Sequence, residues 1–349
     1  MEFGMFHEFQ WSPGESEADA FRNSFEQVDA AERWGLDAMW LAELHLAPHR
    51  SVLAAPLLLA SAIAARTSRM KIGTAVQVLP LCHPLRLAEE AATVDQISRG
   101  RLIFGVGRSG FPRTYDAYGV PYAESRERFA EILEILKLAW TEPTFSYRGR
   151  FHSFEKLTLV PKPWQKPYPE IRIAATSPDT YAAIGKLGHA AFVAARLGTL
   201  SELKPGIAEY RAAWREAGHP GEGKVYLRVP VYVAETAERA RAEPEQSIMH
   251  LLRTIGGLIG DSANRAGTRA IEQRAERGER LKTVTYEEAL ADKVIVGTPA
   301  MVVDRLRQLQ EELGLDGILA ELNSGSLIPH PRVMNALRLL CEEVMPHFK

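Results

Sequence analysis

The chain has 349 residues, of which 46% are hydrophobic and 25% charged, and its formal net charge is −2. This is the composition of a globular protein, and so small a net charge gives no electrostatic reason to expect nucleic-acid or anionic-membrane binding. The N-terminal stretch lacks a basic segment and an apolar core, and no run approaches about 18 apolar residues. Cys82 and Cys341 have no motif spacing. We therefore expect a cytoplasmic protein without a signal peptide, a membrane span, a disulfide framework or a thiolate metal site.

Segments that predict strands alternate with segments that predict helices along most of the chain. Eight strands are predicted from apolar runs at Phe3–Phe9, Asp37–Leu41, Met70–Leu79, Arg101–Val106, Ile171–Ala175, Ala190–Ala194, Val225–Val233 and Gly317–Leu322. Helices are predicted at Ala18–Trp34, Leu53–Ala65, Leu85–Ile97, Glu124–Trp140, Pro178–Leu187, Pro299–Leu313 and Arg332–Val344. Two more are predicted, one after the sixth strand that ends at about Ala217 and one directly after the seventh strand. Eight strand–helix units favour one α/β domain over residues 1–349, a closed (β/α)₈ TIM barrel with parallel strands inside and helices outside.

Two segments interrupt this alternation. Residues 141–168 contain "FSYRGRFHSF" and "LTLVPKPW", which predict two short strands in a hairpin-like insertion. Residues 259–293, between the seventh and eighth strands, are charged and poor in large apolar side chains. This polar insertion is either a mobile lid over the barrel mouth or a solvated helical excursion, and the sequence favours neither.

The stretch "RGRLIFGVGRSGFPRTY" has the Gly-x-Gly-x-x-Gly spacing of a dinucleotide-binding turn, at Gly105, Gly107 and Gly110. That turn requires a helix immediately after the glycines. Here Phe111 and Pro112 follow, and helical periodicity does not return until about Glu124. We therefore expect glycines that let the backbone approach something in the barrel mouth and keep the mouth open, rather than an NAD site.

A phosphate site is predicted where the fifth strand meets its helix, because barrel active sites lie at the carboxyl ends of the strands. In "IRIAATSPDTYAA", Ser177 is the expected N-cap and Pro178 the first helical residue. The free N–H groups of Asp179, Thr180 and Tyr181, with two hydroxyls, form an anion site, unless the turn is an ordinary N-cap. Thr298 precedes Pro299 in the same pattern and is the rival site.

Two arginines point to the same mouth. Arg126 lies in the first turn of its helix, on the stripe formed by Phe129, Leu133 and Leu136, and Arg108 lies just after the fourth strand. An inward guanidinium needs a partner, which is a phosphate or a neighbouring acid such as Glu127 or Glu131.

The sequence contains no nucleophile elbow, no P-loop and no metal-ligand spacing among its ten histidines. We therefore expect a cofactor to carry the chemistry. His45, at the end of the second strand, is a base, a substrate contact or a structural residue.

Several stretches resemble the bacterial luciferase-like flavin-dependent monooxygenases, and the similarity runs over nearly the whole chain. They are "LDAMWLAELH", "TSRMKIGTAVQVLPLCHPLRLAEEAATVDQISRGRLIFGVGRSG", "AATSPDT", "VGTPAMVVDRL" and "VMPHF". The resemblance implies an FMN-type flavin in the barrel mouth. It places the phosphate contacts on Arg108, Arg126, Thr176, Ser177 and Thr180. It also implies a non-proline cis peptide between Ala75 and Val76 that supports the flavin ring.

Two departures from the family's luciferase members bear on catalysis. Those members carry Glu-His-His after the second strand, and the first histidine is implicated in catalysis. The triplet here is Glu43-Leu44-His45, and Leu44 cannot transfer a proton. Gly107 stands where the luciferase α subunit has a cysteine beside the ring. The resemblance therefore does not imply light emission, and either His45, beside Glu43, substitutes as the acid or base or the chemistry differs.

The function implied is an FMN-dependent monooxygenase. Reduced FMN from a separate flavin reductase and O₂ would oxygenate a small organic substrate such as an aldehyde or ketone. One alternative is hydride transfer with the deazaflavin F420 on the same fold. A second is a non-catalytic flavin-binding or partner subunit. We also expect a homodimer.

Overall fold

The computed structural model describes residues 1–109, 111–175, 178–195, 198–263 and 271–349. The strands are β1 (Glu2–His7), β2 (Ala38–Leu41), β3 (Lys71–Thr74), β4 (Gln77–Val78), β5 (Leu102–Gly107), β6 (Phe145–Arg148), β7 (Ser153–Leu157), β8 (Ile171–Ala174), β9 (Ala190–Ala194), β10 (Val225–Val233), β11 (Ile295–Gly297) and β12 (Gly317–Glu321). The helices are α1 (Glu17–Arg33), α2 (Pro56–Arg66), α3 (Pro84–Ser98), α4 (Pro112–Ala117), α5 (Ser125–Thr141), α6 (Pro178–Leu187), α7 (Leu203–Glu216), α8 (Ala237–Ala242), α9 (Glu245–Ala263), α10 (Ile271–Thr283), α11 (Tyr286–Asp292), α12 (Pro299–Leu313) and α13 (His330–Leu339).

Eight parallel strands form a closed barrel, which confirms the predicted (β/α)₈ fold. Their order around the barrel is β1, β2, β3, β5, β8, β9, β10 and β12, and pairing of β12 with β1 closes the ring. The short β4 continues β3 along β5, and β11 pairs with the end of β10. The helices pack outside. Because the eight strands run parallel, their carboxyl ends lie together at one mouth of the barrel.

The amino-terminal end of the barrel is filled by a packed aromatic and ionic layer. Trp40 is fully buried there, and Gly4 and Gly73 leave room for its indole, since a Cβ on either would collide with it. The fully buried Arg172 lies 3.5 Å from the Tyr226 ring centroid and pairs with Glu2 at 2.7 Å. Because this end is closed by side chains, chemistry is left to the opposite mouth.

Gly105 lies within β5, where it allows two strands to approach. A Cβ on Gly105 would collide with the carbonyl oxygen of Thr74 in β3, whose hydroxyl donates to the Gly105 carbonyl at 2.6 Å. The close approach that this glycine allows is thus between neighbouring strands, while its part in keeping the mouth open stays a prediction. The predicted fourth strand, Arg101–Val106, is present as β5, which extends one residue further and so includes Gly107 as well as Gly105.

The helix that follows β5 differs from the irregular stretch we expected. Helix α4 begins at Pro112, whose fixed φ suits the first helical position. With only six residues it is too short to show helical periodicity, so sequence pattern alone could not indicate it. The three-residue strand β11 escaped prediction for the same reason.

The hairpin predicted within residues 141–168 is present but shifted. Strands β6 and β7 pair antiparallel around a turn at residues 149–152, so both lie almost entirely before the second stretch expected to form a strand. The turn is held from α5, because the Glu131 carboxylate accepts hydrogen bonds from the N–H groups of residues 150–152 at 2.7 to 3.2 Å. That buried anchor is a tertiary contact, which strand pattern does not contain.

The polar insertion at residues 259–293 contains helices with a small core of their own. Leu281, Tyr286 and Ala289 are buried against residues of α9 such as Ile248 and Ile255. Residues 264–270 lie outside the described part of the chain. The expected helices are thus observed. That this insertion acts as a mobile lid over the barrel mouth stays a prediction. No helix among the described residues has the length and apolar character to cross a bilayer.

Candidate active site

The Glu43 carboxylate is the centre of a hydrogen-bond cluster at the carboxyl end of β2. Its side chain is 3% exposed. It accepts hydrogen bonds from Nε2 of His45 at 2.8 Å, from Nε2 of Gln77 at 2.5 Å and from the N–H of Val78 at 2.8 Å. Leu44, between the two, turns away and packs against the barrel's hydrophobic core. The two members of the triplet that can exchange protons are therefore in direct contact.

Tyr118 completes a hydrogen-bonded series of three side chains with His45 and Glu43. It follows α4, and its hydroxyl lies 2.8 Å from Nδ1 of His45. The two rings are 4.9 Å apart. His45 thus has a partner on each ring nitrogen. Tyr118 is 48% exposed, so the series leads from a buried carboxylate to the solvent-facing mouth.

The cysteine and tyrosine side chains around Glu43 and His45 are held neutral. Burial, followed by the nearby Glu43 charge, raises the pKa of Cys82 to about 12. Burial and Glu43 also raise the pKa of Tyr118 above its usual value. Burial raises the pKa of Tyr115 as well. Cys82 is therefore a thiol at neutral pH, which is unsuited to nucleophilic attack.

Small side chains line the neighbouring ends of β3, β5 and β8. The peptide bond between Ala75 and Val76 is cis, as the resemblance implied. A Cβ on Gly107 would lie 2.5 Å from Cγ2 of Val76 and 3.6 Å from Cβ of Ala174. Ala75, Val76, Gly107 and Ala174 thus form a small-residue floor at these strand ends.

Arg108 and Ser125 are in contact at one corner of the mouth, which we call the Arg108–Ser125 corner. Nη1 of Arg108 donates to the hydroxyl of Ser125 at 3.1 Å, and Ser125 immediately precedes Arg126 in the first turn of α5. The Tyr115 hydroxyl donates to the Arg108 carbonyl oxygen. The structure thus brings Arg108 to the start of α5, where Arg126 is the second residue and where an anion is favoured.

The remaining predicted phosphate contacts belong to the start of α6. That helix begins at Pro178, as the sequence predicted, and Thr180 lies in its first turn. Thr176 and Ser177 lie outside the described residues. At the rival site, the Thr298 side chain accepts a hydrogen bond from the Met301 N–H. Thr298 is therefore an ordinary N-cap.

Sequence reasoning missed a charged wall across the barrel, formed by β1, β10 and β12. Arg228 pairs with Glu321 at 2.8 Å and with Glu8 at 3.3 Å, and Arg50 pairs with Glu8 at 2.7 Å. The Arg228 guanidinium also lies 3.3 Å from the Phe6 ring centroid. The signal that could have found this wall is a charged residue inside an apolar strand, as in "VYLRVPVYV" and "GILAE".

A family model described as luciferase-like monooxygenase matches residues 1–317. The chain belongs to this family. Its fold and its oxidoreductase class are those that the sequence resemblance implied.

The chain is 25% identical to the oxygenase component of the flavin-dependent trigonelline monooxygenase of Acinetobacter baylyi, covering 100% of this chain and 96% of the relative. It is 36% identical to the uncharacterized protein y4vJ of Sinorhizobium fredii, but over only 63% of each chain. An F420-dependent glucose-6-phosphate dehydrogenase of Kineococcus radiotolerans is 33% identical over 45% of this chain and 48% of its own.

Solved structures show the same architecture over the full length. The monooxygenase RslO1 from Streptomyces bottropensis has a TM-score of 0.80 at 27% identity, covering 100% of both chains. The oxygenating constituent of 3,6-diketocamphane monooxygenase from Pseudomonas putida, a type II Baeyer-Villiger monooxygenase solved with FMN, has a TM-score of 0.82. It is 21% identical, covering 99% of this chain and 98% of its own, so this likeness speaks for the fold alone.

Proposed function

We propose that this protein is an FMNH₂-dependent monooxygenase that oxygenates a small organic substrate, such as an aldehyde or ketone, with reduced flavin from a separate reductase. The observation that carries the proposal is the pairing of the small-residue floor with the Arg108–Ser125 corner. In this proposal the flat ring would lie over Ala75, Val76 and Gly107, and the phosphate would be held by the two arginines with the start of α6. When bound, the reduced flavin would supply the electrons for activating O₂.

The residues of this chain have separable tasks in that reaction. Arg108 and Arg126, with Thr176, Ser177 and Thr180, would hold the phosphate. Glu43 holds the His45 ring in one orientation through the hydrogen bond from Nε2. The hydrogen bonds from Gln77 and Val78 fix the carboxylate in turn, which limits the loss of alignment during proton transfer.

The charged wall gives the substrate side of the mouth its polarity. Its two arginines and two glutamates cancel in charge, so it has no net attraction for an anionic substrate. Such a wall suits a neutral substrate with a carbonyl or hydroxyl group. This supports aldehydes and ketones over carboxylates or sulfonates.

The proposal is tested with the purified full-length chain and a flavin reductase from any source. We expect ¹⁸O from labelled O₂ to enter the product of an aldehyde or ketone panel when FMNH₂ is supplied. Product formation with H₂F420 and no O₂ would instead support the hydride-transfer alternative. A chain that binds FMNH₂ but turns over no member of the panel would support a non-catalytic flavin-binding subunit.

Cofactor choice is tested separately by binding. The corner offers a compact set of phosphate contacts, which suits the terminal phosphate of FMN. Anaerobic titration with FMNH₂ and with H₂F420 should give tighter binding of FMNH₂. The reverse order would contradict the FMN assignment whatever the substrate.

We also propose that the protein forms a homodimer through α2. The exposed face of this surface helix has no charged residue before its last position, and Leu58 on that face is 71% exposed. A surface helix ordinarily carries polar residues on its outer side, and one that is apolar all round is usually covered. A second copy of the same helix would cover it symmetrically.

A further inference from the structure

Both ring nitrogens of His45 are occupied, which limits what this residue can do directly. Nε2 faces Glu43 at 2.8 Å and Nδ1 faces the Tyr118 hydroxyl at 2.8 Å. His45 is also well covered, with its side chain 11% exposed. To reach a substrate oxygen it would have to break one of these hydrogen bonds. Tyr118, the third side chain of this hydrogen-bonded series, is 48% exposed.

We propose that Tyr118 is the proton donor of the active site, and that the protonation state of His45 sets the direction of the Tyr118 O–H bond. Neutral His45 donates from Nε2 to Glu43 and accepts at Nδ1, so the tyrosine hydroxyl points at the ring. Protonated His45 donates from both nitrogens, so its Nδ1–H turns the hydroxyl outward to the mouth. This rests on the proposed function, since it assigns the proton donor for that reaction.

The proton transfer balances without a further reactant. The O–H bond of Tyr118 breaks as its proton passes to a substrate oxygen in the mouth. The Nδ1–H bond of His45 breaks at the same time, and that proton restores the tyrosine O–H bond. His45 ends neutral with its remaining proton on Nε2 facing Glu43, and it recovers a proton from solvent through the exposed Tyr118.

The surroundings of this series favour this arrangement. Among the described residues with an electrostatic effect on the cluster are Glu43 at the end of β2, Cys82 before α3, and Tyr115 and Tyr118 in and after α4. The thiol and the phenols are neutral at neutral pH, so Glu43 is the charge in contact with His45. The Glu43 carboxylate accepts from Nε2 in both protonation states of the ring, so Nδ1 is the nitrogen whose proton changes.

The first experiment reads the His45 ring itself in flavin-free protein, with ¹⁵N NMR over a pH range around about 6.5. Neutral His45 should carry its proton on Nε2. Protonated His45 donates from Nδ1 to the Tyr118 oxygen, and this bond is stronger than the one the neutral ring accepts from the Tyr118 hydroxyl, because its donor is charged. Removing the hydroxyl in Tyr118→Phe therefore costs the protonated ring more, so the titration midpoint of His45 should fall by about 0.5 unit or more. Tyr122→Phe, a matched change on the same loop, should leave it in place. An unchanged His45 titration midpoint in Tyr118→Phe, or a neutral His45 with its proton on Nδ1, would overturn the proposed proton relay from His45 through Tyr118.

The second experiment follows the rate of the oxygenation step under single-turnover conditions. Tyr118→Phe should lower it by about 100-fold and remove its decline with rising pH, while FMNH₂ binding stays unchanged. His45→Gln should lose a similar factor, and the double variant should lose little more, because the two residues act in series. A Tyr118→Phe rate within two-fold of wild type would overturn the donor role. If wild type oxygenates nothing, the proposed function fails, and the relay is still judged by the NMR titration.

Discussion

Arg108 donates a hydrogen bond over 3.1 Å to the hydroxyl of Ser125, which ties the end of β5 to the first residue of α5. Arg126 is the next residue of α5, and we propose that it holds the flavin phosphate together with Arg108. Arg126→Ala should weaken FMNH₂ binding by about 10- to 150-fold, because a charge-assisted pair contributes about 1.5–3 kcal/mol. Anaerobic titration measures this, with thermal unfolding to show that the fold is retained.

Arg128→Ala is the matched control on the same helix. Arg128 pairs with Glu124 at 2.8 Å and lies 4.2 Å from the Phe151 ring centroid, away from the phosphate corner. Its loss should leave the dissociation constant for FMNH₂ unchanged. Equal binding by wild type and Arg126→Ala would remove Arg126 from the site.

Gly105→Ala should destabilise the barrel severely. The new methyl group would collide with the Thr74 carbonyl oxygen, which is backbone of the adjacent strand and cannot rotate away. We expect the free energy of unfolding to fall by about 3 kcal/mol or more in denaturant titration. Gly257→Ala, in the middle of α9 with open space around it, should instead raise stability by about 0.5–1 kcal/mol. A mild effect of Gly105→Ala would mean that β3 and β5 can separate at little cost.

The barrel could be predicted from sequence because its strands are buried on both faces. Runs such as Ala190–Ala194 and, apart from Arg228, Val225–Val233 are apolar without alternation, and the structure forms strands over the same residues. The types of residue in such a run are enough to predict that both of its faces are buried. The eight predicted strands and the start of α6 at Pro178 therefore needed no tertiary information.

The partners within the site were harder to predict because they come from distant segments. Tyr118 and His45 are 73 residues apart, and α4, which positions Tyr118, is too short to be periodic. The Glu131 carboxylate binds the backbone of a turn about twenty residues later in the chain, and this contact fixes where the hairpin turns. Contacts of this type depend on three-dimensional proximity, so the sequence indicated which residues could act but not which would meet.

Glu131→Gln should loosen the β6–β7 hairpin. Burial raises the pKa of Glu131, but hydrogen bonds from the Phe151, Arg150 and His152 N–H groups and from the His152 ring outweigh it, so the pKa is lowered overall. An amide would set an NH₂ group against these donors, costing about 1–3 kcal/mol. Hydrogen exchange of the turn amides should rise in this variant. Glu134→Gln on the same helix, which removes one exposed bond to the Tyr147 hydroxyl, should change little.

The stabilising contribution of Glu131 should also vanish in acid. A carboxyl whose folded pKa is depressed stabilises the protein above its unfolded pKa, and the contribution is lost as pH falls through the folded value. The difference in stability between wild type and Glu131→Gln should therefore shrink below about pH 4.5. A difference that stays constant down to low pH would show that the carboxylate charge is not what holds the turn.

His7 should make the protein acid-sensitive over a higher pH range. Its Nδ1 accepts a hydrogen bond from the Phe9 N–H and its Nε2 lies 3.0 Å from Oε1 of Gln27, so the fully buried ring has no place for a second proton. Burial accordingly lowers the pKa of His7 to about 4. Below about pH 6.5 the unfolded chain binds a proton that the folded chain refuses, so stability falls from there to about pH 4 by about 3 kcal/mol.

His7→Asn tests that contribution, since the asparagine oxygen can still accept from the Phe9 N–H but does not titrate. The variant should lose less stability than wild type between about pH 6.5 and 4, although it is less stable at neutral pH. Burial similarly lowers the pKa of His189 to about 4, so some acid sensitivity should remain. Parallel pH profiles for wild type and His7→Asn would show that His7 is protonated as easily in the folded protein as in the unfolded chain.

Leu58→Lys should convert the proposed dimer to a monomer. A lysine on the apolar outer face of α2 would place two like charges against each other across a symmetric interface, and burying them costs more than the lost leucine contacts. Light scattering at micromolar concentration should report about twice the chain mass for wild type and the chain mass for the variant. Val160→Lys, at a residue 74% exposed near the hairpin, is the control and should stay dimeric. If wild type is already a monomer, or if Leu58→Lys stays dimeric, α2 is not the interface.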